Sequence, residues 1–288
     1  MEFTIGCDPE LFAIDKDGSI RSAYGLIPGN KEEPYKVNNG AVQVDGMALE
    51  FNTDPVKDRA SFTNNVMSVK QQLQDMVYTK GYGLAVETLV KFDEEYFSKQ
   101  HPLAKELGCD PDLNAWSIVQ LEEAGLTIND LDSEDPVRVA GGHIHIGWTQ
   151  DADIRCASHI GDCSVVAKQL DYFLGLPSLL WDNSIDRDSY YGAAGSFRSK
   201  PYGIEYRALS NQWIKCTDTI ELVYDLVDHA MDRLNAGFRA EDQFGSVVLD
   251  IRYGPGKEYR HKDSICADYL SVLITDSSLL ERVRALNV

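Results

Sequence analysis

The chain has 288 residues, and its 27 Lys and Arg against 46 Asp and Glu leave a net charge of −19. Such a charge repels phosphate backbones and anionic bilayers, so it argues against nucleic-acid and membrane partners. At 43% hydrophobic and 25% charged residues, with 22 Gly and 10 Pro, the composition is that of a folded protein rather than a disordered or fibrous one.

In chain order, Phe3 to Ile14 and Ala41 to Asn52 alternate like strands, separated by a connection containing Pro28-Gly29-Asn30 and Asn38-Asn39-Gly40. Asp54-Pro55 reads as an N-cap followed by Pro at the first helical position. From there Phe62, Val66, Val69, Leu73, Met76 and Val77 recur at helical spacing until Gly81. Leu84 to Val90 suggests a strand, Glu94 to Leu107 a helix, and Val137 to Trp148 a strand preceded by an acidic loop, Asn129 to Asp135. A helical pattern from Asp151 to about Leu174 leads to a polar loop, Asp182 to Pro201, and a strand, Tyr202 to Leu209. Helices over Trp213 to Ala236 and Ser264 to Leu286 follow.

No linker or compositional break divides this pattern. Its one internal echo, Gly6-Cys7-Asp8-Pro9-Glu10-Leu11 against Gly108-Cys109-Asp110-Pro111-Asp112-Leu113, is too short for a repeat architecture. The expectation is a single α+β domain over residues 1–288, a largely antiparallel sheet with helices packed on one face. The most apolar stretch, Tyr172 to Trp181, is short and broken by Gly175 and Pro177. Met1 to Ile5 lacks the basic and apolar regions of a signal peptide, so a cytoplasmic location is expected. The cysteines at 7, 109, 156, 163, 216 and 266 form no C-x-x-C pair and are expected to be reduced.

Polar residues on four strands fall two apart, so each pair projects from one face: Asp8 and Glu10, Glu50 and Asn52, His143 and His145, Glu205 and Arg207. The residues between them are mostly apolar and are expected to face the helices. Taken singly, each pair reads as an ordinary solvated strand face. Together, with glycines at 6, 46, 141, 142, 147 and 203, they suggest a site where a backbone approaches a ligand closely. Carboxylates gathered on one concave face repel unless cations neutralise them. Asp8, Glu10, Glu50 and Glu205 with a histidine therefore point to bound divalent metal, of which Mg²⁺ or Mn²⁺ suits oxygen-rich ligands best. Arg187, Arg198, Lys200 and Arg207 lie beside these acids in the sequence. Arginines next to such a metal suit a transferring phosphoryl group, hence a nucleoside triphosphate. There is no Walker A sequence and no G-x-G-x-x-G after a strand.

Four segments carry a family resemblance: Gly6-Cys7-Asp8-Pro9-Glu10-Leu11-Phe12, Val44-Asp45-Gly46-Met47-Ala48-Leu49-Glu50-Phe51-Asn52, Gly141-Gly142-His143-Ile144-His145-Ile146-Gly147 and Tyr202-Gly203-Ile204-Glu205-Tyr206-Arg207. In this order they resemble the carboxylate–amine ligases related to glutamine synthetase and glutamate–cysteine ligase, and more closely the phage-type COOH–NH2 ligase (amidoligase) type 2 group. The resemblance implies that Glu10 and Glu50 hold one metal, while Asp8, His143 and Glu205 hold a second that bridges ATP phosphates. It places His145 near the nucleotide phosphates and Arg207 and Arg198 on the γ-phosphoryl group or acyl phosphate. Asp8 stands where glutamine synthetase has a glutamate. Lys200 is a phosphate-binding candidate, and Arg187 belongs to the same basic group.

The implied reaction is ATP-dependent amide formation through an acyl phosphate on an amino acid or short peptide. Asp45 and Asn52 are candidates for orienting a ligand or the amine, and Asp45 or Glu50 for accepting the amine's proton. Asn114 and Trp116 are substrate-side candidates, and core packing serves Trp116 as well. The loop 182–201, with Tyr190, Tyr191, Gly192 and Gly195, has the length of a lid. Two rivals explain part of the pattern. A His/carboxylate metallohydrolase uses the acids and histidines but gives the arginines no task. A non-catalytic nucleotide- or peptide-binding relative leaves the intact acid and arginine set without a purpose.

Overall fold

The computed structural model describes residues 2–107, 112–117, 119–120, 132–182, 184, 186–253 and 269–286. Its long strand β1 (Thr4–Ile14) lies at the centre of an antiparallel sheet. Strand β2 (Ile20–Arg21) pairs with the far end of β1. On one flank of β1 come β3 (Tyr35–Val37), β4 (Gly40–Asp45) and β5 (Ala48–Thr53), in the order β3-β4-β5-β1. The expected strand from Ala41 to Asn52 is thus a hairpin. Gly46 turns the chain at a φ of 57°, a region that favours glycine.

The long helix spans Arg59–Tyr78, not Asp54 onward. Asp58 caps it, accepting from the Ser61 N–H at 2.9 Å. The preceding Val56 instead pairs with Ile5 of β1 through bonds of 2.8 and 2.9 Å. Sheet pairing over Val56 therefore wins over the Asp-Pro start signal.

Four more expected elements divide. Leu84 to Val90 becomes β6 (Gly83–Ala85), on β1, and β7 (Leu89–Lys91). Glu94 to Leu107 becomes two short helices, Glu94–Ser98 and Pro102–Lys105, because Pro102 cannot continue the first. After β8 (Leu113–Asn114), Val137 to Trp148 becomes β9 (Val137–Val139), paired with β7 in a separate sheet, and β10 (Gly142–Gly147), on β1. The expected 182–201 loop contains β11 (Ser196–Lys200), which pairs with β12 (Gly203–Tyr206). The main sheet then runs β3-β4-β5-β1-β10-β12-β11-β8.

The Asp151 to Leu174 pattern starts late, as the helix Ala157–Leu170, and passes into a π-helical turn, Asp171–Gly175. Trp213 to Ala236 splits into a 3₁₀ turn, Asn211–Lys215, and the helix Thr217–Asn235. Of Ser264 to Leu286, residues 264–268 lie outside the described residues, and Ser277–Ala285 is helical. The echo over 108–111, part of the acidic loop (129–131), Cys109 and Cys266 also lie outside them. Cys7, Cys156, Cys163 and Cys216 are free thiols.

The alternation sets the layers. Leu11, Leu49, Phe51, Ile144, Ile146, Ile204 and Tyr206 are fully buried on one face of the sheet. They join Phe62, Val66, Val69 and Leu73 of the first long helix and Val166, Leu170, Val223 and Leu226 of the next two in one core. Burying each such side chain is worth roughly 1.5–3 kcal/mol, so this layer fixes the sheet rigidly under the polar face. Beyond Glu10 the second face is not open. Phe12, Met47, Val90, Phe92, Phe97 and Ala104 form a smaller core there beneath the two short helices.

Candidate active site

Because the sheet is in register, the polar pairs meet across strands. Glu10 stands opposite Glu50, Asp8 opposite His143, His145 opposite Glu205, and Glu205 opposite Arg198. The result is two groups of possible metal ligands side by side, with β1 contributing to both. Asp8, His145 and Glu205 place ligand atoms within 4.8 Å of one another, as do Glu10, Asp45 and Glu50. Asp45 thus sits with Glu10 and Glu50, at the end of β4.

In the first group Asp8 Oδ1 lies 2.9 Å from His145 Nε2 and 3.2 Å from His143 Nδ1, and His143 Nδ1 lies 3.7 Å from Glu205 Oε1. Among the described residues, Asp8 Oδ1 and His145 Nε2 are buried without a hydrogen-bond partner despite their closeness. With the other imidazole nitrogen of His145 engaged by the Tyr202 hydroxyl, these two atoms and Glu205 make a donor set of the kind that holds a divalent cation. The residues present therefore fit a divalent metal.

Electrostatics separates the two groups. Burial favours a protonated Asp8, but His145 and His143 outweigh it and hold the carboxyl far below its ordinary range. Burial and then Arg207 lower His143, whereas for His145 the pull of Asp8 overcomes burial and raises it. In the second group burial, reinforced by Asp45, pushes Glu10 up to about 7. Burial with the charges of Asp8, Asp45 and Glu10 raises Glu50 well above the usual carboxylate range. The second group is short of positive charge, which sets Glu10 and Glu50 against full ionisation.

Beyond Glu205 comes the basic group. Lys200 Nζ lies 2.6 Å from Glu205 Oε2, Arg207 Nη1 donates to Glu205 Oε1, and Arg198 Nη1 is 3.8 Å from the same oxygen. Asp112 spans the two arginines, 3.3 Å from Arg198 Nε and 2.9 Å from Arg207 Nε. Arg198 and Lys200 are strand residues rather than loop residues, which is why they share this face. Arg187 is placed differently. Its guanidinium is buried and donates to the carbonyls of Ala140, Ala208 and Leu209 at 2.8–3.3 Å. It binds the 187–195 stretch to the ends of β10 and β12.

That stretch is held at further points. Arg252 Nη2 donates to Gly192 O at 3.0 Å, Ala194 N to the Tyr253 hydroxyl at 2.6 Å, and Gly195 N to Asp171 at 3.0 Å. A segment tied so densely is built as a wall, which corrects the expectation of a lid. Asn114 donates to Ala194 O at 2.8 Å, and Trp116 Nε1 to Asp171 at 2.6 Å, so both serve the same wall. Asn52 lies farther along the face and lines a cavity with Gly6 and His145.

The Gly141-Gly142 pair has a steric cause. A Cβ on Gly141 would lie 2.0 Å from His143 Nε2, and one on Gly142 2.3 Å from Ser210 O. Only glycines let the β9–β10 junction pass this close to the imidazole. Sequence reasoning missed Lys31, Asp112, Tyr191 and Tyr202 as members of the site. Tyr202 opens the Tyr202–Arg207 motif but was given no role there; Lys31 and Asp112 carried no local signal.

Several solved structures align with the chain. A bifunctional glutathione synthetase from Pasteurella multocida matches over 99% of this chain at 11% identity and a TM-score of 0.51. This chain spans 46% of that protein's length, so it corresponds to just under half of it. GmaS in an ADP complex and GmaS without ligand align at 10% and 11% identity, with TM-scores of 0.39 and 0.42. These alignments cover 99% of this chain and 69% and 68% of theirs. No curated protein matches the chain. At the level of sequence families, residues 136–238, which supply His143, His145, Glu205 and Arg207, match the family described as phage phiEco32-like COOH.NH2 ligase-type 2.

Proposed function

We propose that this chain is an ATP- and Mg²⁺- or Mn²⁺-dependent carboxylate–amine ligase that joins an amino acid or short peptide to an amine through an acyl phosphate. The observation that carries the reading is the juxtaposition, on one sheet face, of the Asp8–His145–Glu205 and Glu10–Asp45–Glu50 groups with Lys200, Arg198 and Arg207 immediately beyond. The match over 136–238 supports it. Residues 1–288 then act as one catalytic domain, working in the cytoplasm, or in the host's cytoplasm if the protein is phage-encoded.

The difficulty such a reaction faces is charge, because a carboxylate and a triphosphate repel each other. Asp8, His143, His145 and Glu205 would hold one metal and Glu10, Asp45 and Glu50 another; bound there, divalent ions supply the neutralising charge. A cavity of about 230 Å³ lined by Gly6, Asn52, Pro55, His145 and Tyr202 offers room for a nucleoside beside the first group. Arg207, Arg198 and Lys200 would then meet the transferring group. The substrate carboxylate attacks the γ-phosphorus, the bond to the bridging oxygen breaks, and ADP leaves. An amine then attacks the acyl carbon and expels phosphate. Asp45 or Glu50 accepts the amine's proton, and burial, which raises Glu50, makes that carboxylate more basic than an ordinary one.

The test incubates purified protein with Mg²⁺, ATP and a pool of amino acids and cell-wall peptides, following ADP by a coupled assay and products by mass spectrometry. ADP release matched by a new amide supports the reading. Metal-dependent cleavage without ATP would replace it with the hydrolase. Neither turnover nor nucleotide-dependent protection from unfolding would leave a non-catalytic binder.

A further inference from the structure

Arg207 has a polar neighbour along every edge of its guanidinium. Nε faces Asp112 at 2.9 Å, Nη1 donates to Glu205 and lies 3.3 Å from His143 Nδ1, and Nη2 donates to the Tyr191 hydroxyl. Asp112, Glu205 and His143 are ionisable, while the phenol is neutral. The same hydroxyl lies 3.2 Å from His143 Nε2, so a single oxygen touches a basic residue and an imidazole of the first metal-ligand group. The Tyr191 ring is placed 5.3 Å from both the Arg187 and Arg207 guanidinium carbons.

Tyr191 stands there because its turn is fixed from behind. Arg187 ties the turn to the carbonyls of Ala140, Ala208 and Leu209, Arg252 donates to Gly192 O, and Ala194 and Gly195 donate to Tyr253 and Asp171. Gly192 has a φ of 78°, and a Cβ there would meet Arg187 Nη1 at 2.2 Å. The following residue thus lets the arginine pass directly beneath the turn. Asp171 itself accepts from Trp116, Gly195 and Tyr206 and is fully buried, so the support reaches through the sheet into the core.

We propose that Tyr191 is a positioning residue: its hydroxyl sets the plane of Arg207 and the ring of His143, and it is the partner that yields Arg207 Nη2 to an arriving phosphoryl oxygen. Asp112 and Glu205 hold the guanidinium by opposite charge as well as by hydrogen bonding, whereas the phenol on Nη2 is uncharged, so an anion displaces the phenol more easily than either carboxylate. Once displaced, its O–H is free to donate to the same anion. The inference rests on the ligase reading.

Tyr191→Phe is the test, because it keeps the ring over both guanidiniums and removes only the hydroxyl. The expected result is a kcat lowered about 10- to 100-fold with KM for ATP changed less than about threefold, since the contact matters most as charge moves. Arg207→Lys, made alone and with Tyr191→Phe, provides a double-mutant cycle independent of the stability of either variant. The hydroxyl should lose most of its effect in the background of the Arg207→Lys variant. A kcat within about twofold of wild type, or strictly additive losses, overturns the inference. If wild type turns over ATP and Tyr191→Phe matches it, this inference alone fails. If wild type forms no amide at all, the ligase reading fails and takes this inference with it.

Discussion

Lys31 places its ammonium 2.9 Å from Asp45 Oδ2, carrying a cation from the segment before β3 into the Glu10–Asp45–Glu50 group. Fully ionised, three carboxylates and one ammonium carry an excess of two negative charges, the charge of one divalent ion. Lys31 also weakens the field that would attract such an ion. Lys31→Gln is therefore expected to bind Mn²⁺ about 3- to 10-fold more tightly in titration calorimetry without nucleotide. Unchanged or weaker binding would show that Lys31 does not act on this group.

The raised Glu10 makes the stability of the metal-free protein depend on pH. Folded, its carboxyl titrates near 7, against 4.5 for the ordinary group. Between those values the folded chain holds a proton that the unfolded chain releases, so stability falls as pH rises through this window and levels off above it. The loss attributable to Glu10 is roughly 3 kcal/mol. Denaturant unfolding at constant ionic strength should show a shallower decline for Glu10→Gln, and Mg²⁺ should restore much of the wild-type loss at about pH 8. Identical pH slopes for the two proteins would remove Glu10 from this account.

Glu205 is the acid on which Lys200 and Arg207 converge, and Arg207 joins it to Asp112. Glu205→Gln and Arg207→Ala are each expected to lower ADP formation at least about 100-fold in the pooled-substrate assay. Far-ultraviolet circular dichroism should stay that of wild type. Near-normal turnover in either variant would take that residue out of the proposed site.

Asp171 is fully buried and accepts from Trp116 Nε1, Tyr206 Oη and Gly195 N at 2.6, 2.7 and 3.0 Å. Asp171→Asn turns a donor toward these donors and is expected to cost about 2–4 kcal/mol, a Tm lower by roughly 5 °C or more in calorimetry. An unchanged Tm would mean that this network does not brace the 187–195 wall.

Much of the catalytic face was legible because period-two spacing survives folding: Asp8 and Glu10, His143 and His145, and Glu205 and Arg207 needed only strand geometry to share a side. What failed were boundaries where a turn or a pairing partner outweighs local pattern. Gly46 folds one apparent strand into a hairpin, Pro102 breaks an apparent helix, and Val56 prefers a bridge to β1 over the helix start that Asp54-Pro55 announces. Ser196–Lys200 read as loop because Arg198 and Lys200 face the site and dilute its apolar pattern. Asp112 and Tyr191 reach Arg207 from distant parts of the chain, so no local window contained the contact.

The central position of β1 also orders events during synthesis. Glu10, Asp45 and Glu50 all precede the first long helix, so the strands β1, β4 and β5 can bring them together while the rest of the chain is still being made. Asp8, in contrast, must wait for His145 and Glu205, which emerge well over one hundred residues later. Until then one edge of β1 stays open to pairing with another strand, a hazard for aggregation. The slow step in refolding is thus expected to be the arrival of β10 at that edge, and its rate to respond to substitutions at Gly141 and Gly142.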